Sequence, residues 1–209
     1  MHRTRAELEA YVGTLRGSPR DEGTLELVVR RPAIGAREVL AEGELDTEVG
    51  LVGDNWPVKP TTSTPDRSPH PEKQLTLMNH RMVAFLAGDD PDRRALAGDQ
   101  LYVDLDLSAT NLPAGTRLAI GTAVVEVTEP PHRGCAKFLS RYGEEAMRFV
   151  NGRVGRELRL RGINAKVVVD GTVHPGDTVR KAPAAQLAEA AARPASSRAT
   201  GTRNGEQET

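Results

Sequence analysis

Cys135 is the only cysteine in the 209-residue sequence. It sits in the stretch richest in reactive side chains, Thr128-Glu129-Pro130-Pro131-His132-Arg133-Gly134-Cys135-Ala136-Lys137-Phe138. A solitary thiol forms no internal disulfide and supplies no multi-cysteine zinc site. Four roles stay open: an inert buried thiol, a nucleophile, a sulfur carrier, or one soft ligand to a metal held chiefly by a cofactor. The neighbours favour reactivity. His132, Arg133 and Lys137 can each stabilise a thiolate, and Gly134 admits close backbone approach. A helical pattern begins right after the cysteine, so its sulfur is expected at a helix N-terminus. No Ser-His-Asp set or carboxylate pair competes with it. His70 and His80 could join Cys135 at a metal only if the fold gathers them, because their spacing is not that of ligands.

The elements that must position this stretch are short. Residues 4–16 read as an amphipathic helix, with Thr4 as cap, Glu7 three residues on, and Leu8, Tyr11, Val12 and Leu15 on one face. Leu25, Leu27 and Val29 alternate in a strand closed by Pro32, and residues 37–45 form another. Residues 53–73 hold five prolines and the only tryptophan, Trp56, and are expected to be a long irregular loop. Gln74–Met78 reads as a strand leading into a helix over Asn79–Leu86, with Met82, Phe85 and Leu86 on one face. In the next strand Leu101, Val103, Leu105 and Leu107 point one way, while Tyr102, Asp104 and Asp106 point the other. Leu118–Val127 reads as a hairpin bent near Gly121-Thr122 that delivers Cys135 at the end of its second strand. Two short helices follow, one from Phe138 to Tyr142 and one around Ala146–Val150. Val167–Val173 reads as a hairpin with an Asp170-Gly171 turn. Many short strands, Gly-Asp turns and small helices predict a mainly β fold, a mixed or antiparallel barrel with helices at its ends.

Composition excludes several classes. With 28 basic and 29 acidic residues there is no basic excess for nucleic acid, and 3% aromatics leave no stacking platform. No stretch reaches the ~20 apolar residues of a membrane helix, and the N-terminus lacks the apolar core of a secretory signal. One unpaired cysteine suits a reducing compartment, so a cytoplasmic location is expected. From residue 182 to 209 the composition turns to Ala, then Ser, Thr, Arg, Gly and Glu, and reads as a disordered tail.

An ordered set of pieces resembles the MOSC domain, named for the C-terminal region of molybdenum-cofactor sulfurase. They are Gly50-Leu51-Val52-Gly53-Asp54, Gly98-Asp99-Gln100-Leu101, Asn111-Leu112-Pro113-Ala114-Gly115 running on to Gly121, and Val125-Glu126-Val127-Thr128 leading into His132–Phe138. The last are Arg161-Gly162-Ile163-Asn164-Ala165-Lys166-Val167, Gly171 and Gly176-Asp177. The resemblance implies a barrel over residues 37–181, preceded by a helix and first strand in 1–36. It also implies that Cys135 is the family's key cysteine, which carries sulfur as a persulfide or ligates the molybdenum of a pterin cofactor. Such a cofactor is anionic, so Arg133, Lys137, Arg161 and Lys166 are its expected cationic contacts, with turn amides near Asn111 as further donors. His132 is expected to tune the thiolate or move a proton. No pyridoxal-dependent desulfurase or ferredoxin-like domain is present in the sequence. A sulfur-donor or electron-donor protein is therefore an expected partner, beside the pterin or a small-molecule substrate. Reduction of N-hydroxylated compounds is the alternative activity, although a Pro/Thr-rich loop stands where some stand-alone members carry a histidine motif. A binding module without chemistry is the remaining alternative.

Overall fold

A computed structural model describes residues 2–182, and the expected tail beyond Ala182 lies outside them. Thr4 opens α1 (Arg5–Ala10) through the expected capping box: Glu7 N donates to Thr4 Oγ1, and Thr4 N donates to Glu7 Oε2. Helix α2 (Val12–Arg16) continues it. Strand β1 (Glu22–Arg30) follows, then β2 (Glu38–Leu40), β3 (Gly43–Asp46) and β4 (Gly50–Leu51). The only helical structure in residues 53–73 is two single turns, Trp56–Val58 and Pro71–Lys73, as the prolines require. Strand β5 (Leu75–Asn79) leads into α3 (His80–Ala87) and α4 (Pro91–Ala95), the last of which has no apolar periodicity to betray it. Then come β6 (Leu101–Asp104), β7 (Arg117–Ile120), β8 (Ala123–Pro131), α5 (Ala136–Tyr142), α6 (Glu144–Asn151) and α7 (Arg153–Glu157). The chain ends with β9 (Ile163–Val169), β10 (Gly171–Val173) and β11 (Thr178–Lys181).

Seven strands close a mixed barrel in the order β1-β11-β7-β8-β9-β5-β6, with β6 returning to β1 and β2 appended to β1's far end. Every neighbour is antiparallel except β5–β6, whose parallel pairing is allowed by the α3–α4 crossover between them. The small sheet β10-β3-β4 is hydrogen-bonded separately and packs Leu45, Leu51 and Val173 into the barrel's core.

Two apolar layers follow from the strand alternation. Leu101, Val103 and Leu105 fill the barrel with Leu25, Leu77 and Val125, while Tyr102 and Met78 point outward into a layer with Leu8, Met82, Phe138 and Tyr142. Each fully buried Leu, Val or Phe contributes about 1.5–3 kcal/mol of transfer free energy. Two sequence readings are corrected. Leu25 does not share a face with Leu27 and Val29, because a bulge between Leu25 and Leu27 turns the latter pair outward to the helices. Residues 167–173 are not a hairpin either. At Asp170 the chain leaves the barrel, Thr47 N donates to Asp170 Oδ1, and β10 pairs with β3 instead of β9.

Candidate functional site

Strand β8 carries the chain to Pro131 at one end of the barrel, and residues 132–134 cross to α5. Asn151, the last residue of α6, fixes that crossing: Gly134 N donates to Asn151 Oδ1 at 3.0 Å and Asn151 Nδ2 donates to Gly134 O at 3.3 Å. A Cβ on Gly134 would sit 2.7 Å from Met147 Sδ, so a larger residue here would require the Met147 side chain to move aside. Cys135 is thereby left exposed as the N-cap residue of α5. Burial pulls its thiol up. The amides of Phe138 and Lys137 and the charges of Arg161 and Lys137 outweigh that, and the net displacement is downward, toward thiolate.

The thiol opens on a cleft of about 160 Å³ lined by six cations, Arg31, Arg37, Lys59, Lys137, Arg141 and Arg161, and by no carboxylate. Two buried aspartates stand behind it. Asp54 grips Arg31, whose Nε and Nη2 both donate at 2.8 Å, and Asp99 accepts from Arg161 Nη1 at 2.6 Å. Arg161 Nη2 also donates to Ala97 O, and its guanidinium lies 5.2 Å from the Phe138 ring centre. The other four cations form no ion pair among the described residues. They crowd one another. Arg37 is shifted down by burial and then by Arg141 and Arg31, and Lys59 by burial and then by Arg31, Lys137 and Arg37. Arg37 Nε, Arg161 Nε and Asn55 Oδ1 are buried without hydrogen-bond partners. Unpaired cations and orphaned polar atoms gathered in one concavity are the arrangement an anion completes.

His132 stands where this cleft meets two others. One lies under the loop of Trp56, His70 and Lys73, and one is lined by Arg133, Arg156 and Arg159. Burial, then the charges of Arg161, Arg31 and Lys73, drive its pKa well below the usual value, so the ring is neutral at pH 7.

Of the residues expected from sequence, Cys135, His132, Lys137 and Arg161 share the cleft, and Arg133 lines the adjoining cavity. Asn111 and Lys166 line none of the three. Asn111 ties a turn, donating to Arg20 O and Asp106 O and accepting from Lys181 Nζ. Lys166 pairs with Glu126 at 3.1 Å on the barrel wall. His70 Nδ1 accepts from Glu72 N, His80 Nδ1 is buried without a partner, and no group of three or more metal-ligating side chains forms among the described residues. Arg31, Arg37, Lys59, Arg141 and the two aspartates were not anticipated. The Gly53-Asp54 and Gly98-Asp99 turns were the available signal, since each aspartate anchors a cleft arginine. Nothing local marks Arg37, Lys59 or Arg141.

Fold and site together define a small closed barrel that presents one exposed thiol in a cationic cleft. The MOSC domain pattern matches residues 64–180, more than half of the sequence, and the chain belongs to that family. Solved structures of similar fold include the YuaD protein from Bacillus subtilis, 18% identical with a TM-score of 0.54, matched over 78% of this chain and 97% of YuaD. YiiM from Escherichia coli is also 18% identical, with a TM-score of 0.48 over 77% of this chain and 70% of YiiM. At such identity the YuaD likeness concerns the fold alone. No functionally curated protein matches significantly. No helix among the described residues is long and apolar enough to cross a membrane.

Proposed function

We propose that the protein acts through the Cys135 thiolate, as a carrier of sulfane sulfur or as a ligand to the molybdenum of an anionic pterin cofactor held in the cationic cleft. The observation that carries this reading is an exposed thiol, displaced toward its anion, among six cations of which four lack carboxylate partners. The residues fit such a group. Arg37, Lys59, Lys137 and Arg141 would take its phosphate oxygens, and the orphaned Asn55 Oδ1 would accept from a ring N–H. When bound, the cofactor supplies a redox-active metal for which a thiolate is a suitable soft ligand.

The chain's own contribution is electrostatic. Lys137, Arg161 and the first amides of α5 favour the sulfur's anionic form, while Asp54 and Asp99 fix Arg31 and Arg161 in place. As a sulfur carrier, the Cys135 thiolate attacks the outer sulfur of a persulfide donor. A new S–S bond forms, the donor's S–S bond breaks, and the donor leaves as its thiolate. The test is elemental and intact-mass analysis of protein purified from cells with cofactor synthesis intact. Molybdenum or a bound sulfur atom is expected in the wild type and lost in Cys135→Ser. Finding neither in the wild type overturns the reading.

A further inference from the structure

We propose that Asp99 is a positioning residue that holds His132 as its Nδ1–H tautomer and so leaves Nε2 free to accept a hydrogen bond from a ligand's N–H or O–H in the Cys135 cleft. This rests on that cleft being the functional site. Asp99 is wholly buried, and one of its oxygens, Oδ2, is taken by Arg161 Nη1 at 2.6 Å. The other, Oδ1, is sealed from solvent and has no partner of hydrogen-bonding geometry; the Thr76 hydroxyl is close enough to favour the carboxylate but donates to Gln100 Oε1. His132 Nδ1 is sealed and unpartnered too, and the two orphans lie 3.3 Å apart. Buried polar atoms are rarely left so, and contacts of this kind often align only when a ligand is present.

A carboxylate paired with arginine can only accept, so its pairing with His132 requires the proton to be on Nδ1. The ring is neutral among its cationic neighbours, so Nε2 then carries a bare lone pair. Because Nδ1 is sealed, the 18% of the side chain that remains exposed belongs to its other atoms, and His132 lines the Cys135 cleft together with the two cavities that adjoin it. Gly162 keeps the contact open: a Cβ there would lie 3.2 Å from His132 Nδ1 and 2.3 Å from Leu77 O. The carboxylate acts on any ligand only through His132 and Arg161.

Long-range proton–nitrogen NMR of the full chain labelled with ¹⁵N-histidine reads the tautomer directly, with His132→Gln identifying the signal. The wild type should show Nδ1 protonated and Nε2 bare. In Asp99→Asn the amide must turn its oxygen to Arg161, so its NH2 faces Nδ1 and the tautomer should reverse to Nε2–H. A merely structural role would lower the melting temperature without reversing it. An Nε2–H tautomer in the wild type, or the same tautomer in both proteins, overturns the proposal. The wild-type measurement decides alone if the variant does not fold. Neither measurement needs cofactor or sulfur. A protein without molybdenum or persulfide therefore sinks the proposed function and leaves this result standing, whereas a wrong tautomer in molybdenum- or sulfur-loaded protein sinks only this inference.

Discussion

Replacing Arg161 by Met should cost several kcal/mol at pH 7 and progressively less as the pH falls. Arg161 Nη1 lies 2.6 Å from Asp99 Oδ2, with side-chain exposures of 6% and 0%. Removing one partner of such a buried pair typically costs about 3–5 kcal/mol, because the survivor is left charged without compensation. Asp99 has an escape that Arg161 lacks, since it can take up a proton. Neutralising a carboxyl at pH 7 costs about 1.4 kcal/mol for each unit above its unperturbed pKa of about 3.9, which caps the loss near 4 kcal/mol. Burial already pushes the Asp99 pKa up, with Arg161 opposing, and removing Arg161 removes that opposition. The raised folded-state pKa means that the unfolded chain ionises first as pH rises. The variant's own stability should thus rise by up to about 1.4 kcal/mol per pH unit on going down toward pH 4, and its deficit against the wild type should shrink over the part of that range above the wild-type Asp99 pKa, which burial also raises. Asp99→Ala should show no such relief, because the arginine stays charged, although its bond to Ala97 O and the Phe138 ring contact survive. The double change Asp99→Leu with Arg161→Met should cost much less than either single change. Urea unfolding at about pH 7 and about pH 5 measures all of these. A deficit for Arg161→Met below about 1 kcal/mol, or one indifferent to pH, would refute the account of a desolvated, mutually dependent pair.

Two further outcomes follow from the same electrostatics. Alkylation of Cys135 by iodoacetamide should reach half its limiting rate at a pH below that of an unperturbed cysteine, and Lys137→Met should move that midpoint upward. A wild-type midpoint at or above that of a free thiol would contradict the cationic field. His132 should make the fold acid-sensitive. Its folded-state pKa is depressed, so stability is intact above the unfolded value of about 6.5 and falls as pH drops below it, where only the unfolded chain takes up the proton. Unfolding curves of His132→Gln should lack that part of the slope, and identical slopes in the two proteins would count against a neutral ring in the native state.

The fold was legible where periodicity is strong. The opposite faces of Leu101–Val103–Leu105 and Tyr102, the capping box at Thr4 and the bent β7–β8 hairpin all declared themselves. What was lost follows from physics that a pattern does not carry. The bulge after Leu25 inverts the side-chain alternation without any glycine or proline to mark it. Asp170-Gly171 is a hairpin signal by type, yet β10 pairs with β3 because Thr47 N and the edge of β3 are there to meet it. The site divides along the same line. Cys135, His132 and Lys137 are neighbours in sequence and could be read together. Arg37, Lys59 and Arg141 become neighbours only through the fold, and Asn111 and Lys166 looked as cationic or polar as the residues that line the cleft.

That the missed charged residues which line the cleft are all cations is itself informative. The whole chain carries a formal charge of −1, so a general excess of positive charge cannot account for six cations around one cleft. They come from segments scattered between Arg31 and Arg161, and two buried aspartates hold two of them while leaving four uncompensated. Arg37 and Lys59 are displaced downward by burial and by their fellow cations, so the arrangement works against their charged forms. A sequence keeps a local conflict of this kind where something outside the chain relieves it. A nucleic-acid groove would spread the charge along an open stripe with aromatic platforms, but this charge is concentrated in a small concavity around a thiol. The relief that the proposed function would supply is an anionic group seated beside the sulfur of Cys135.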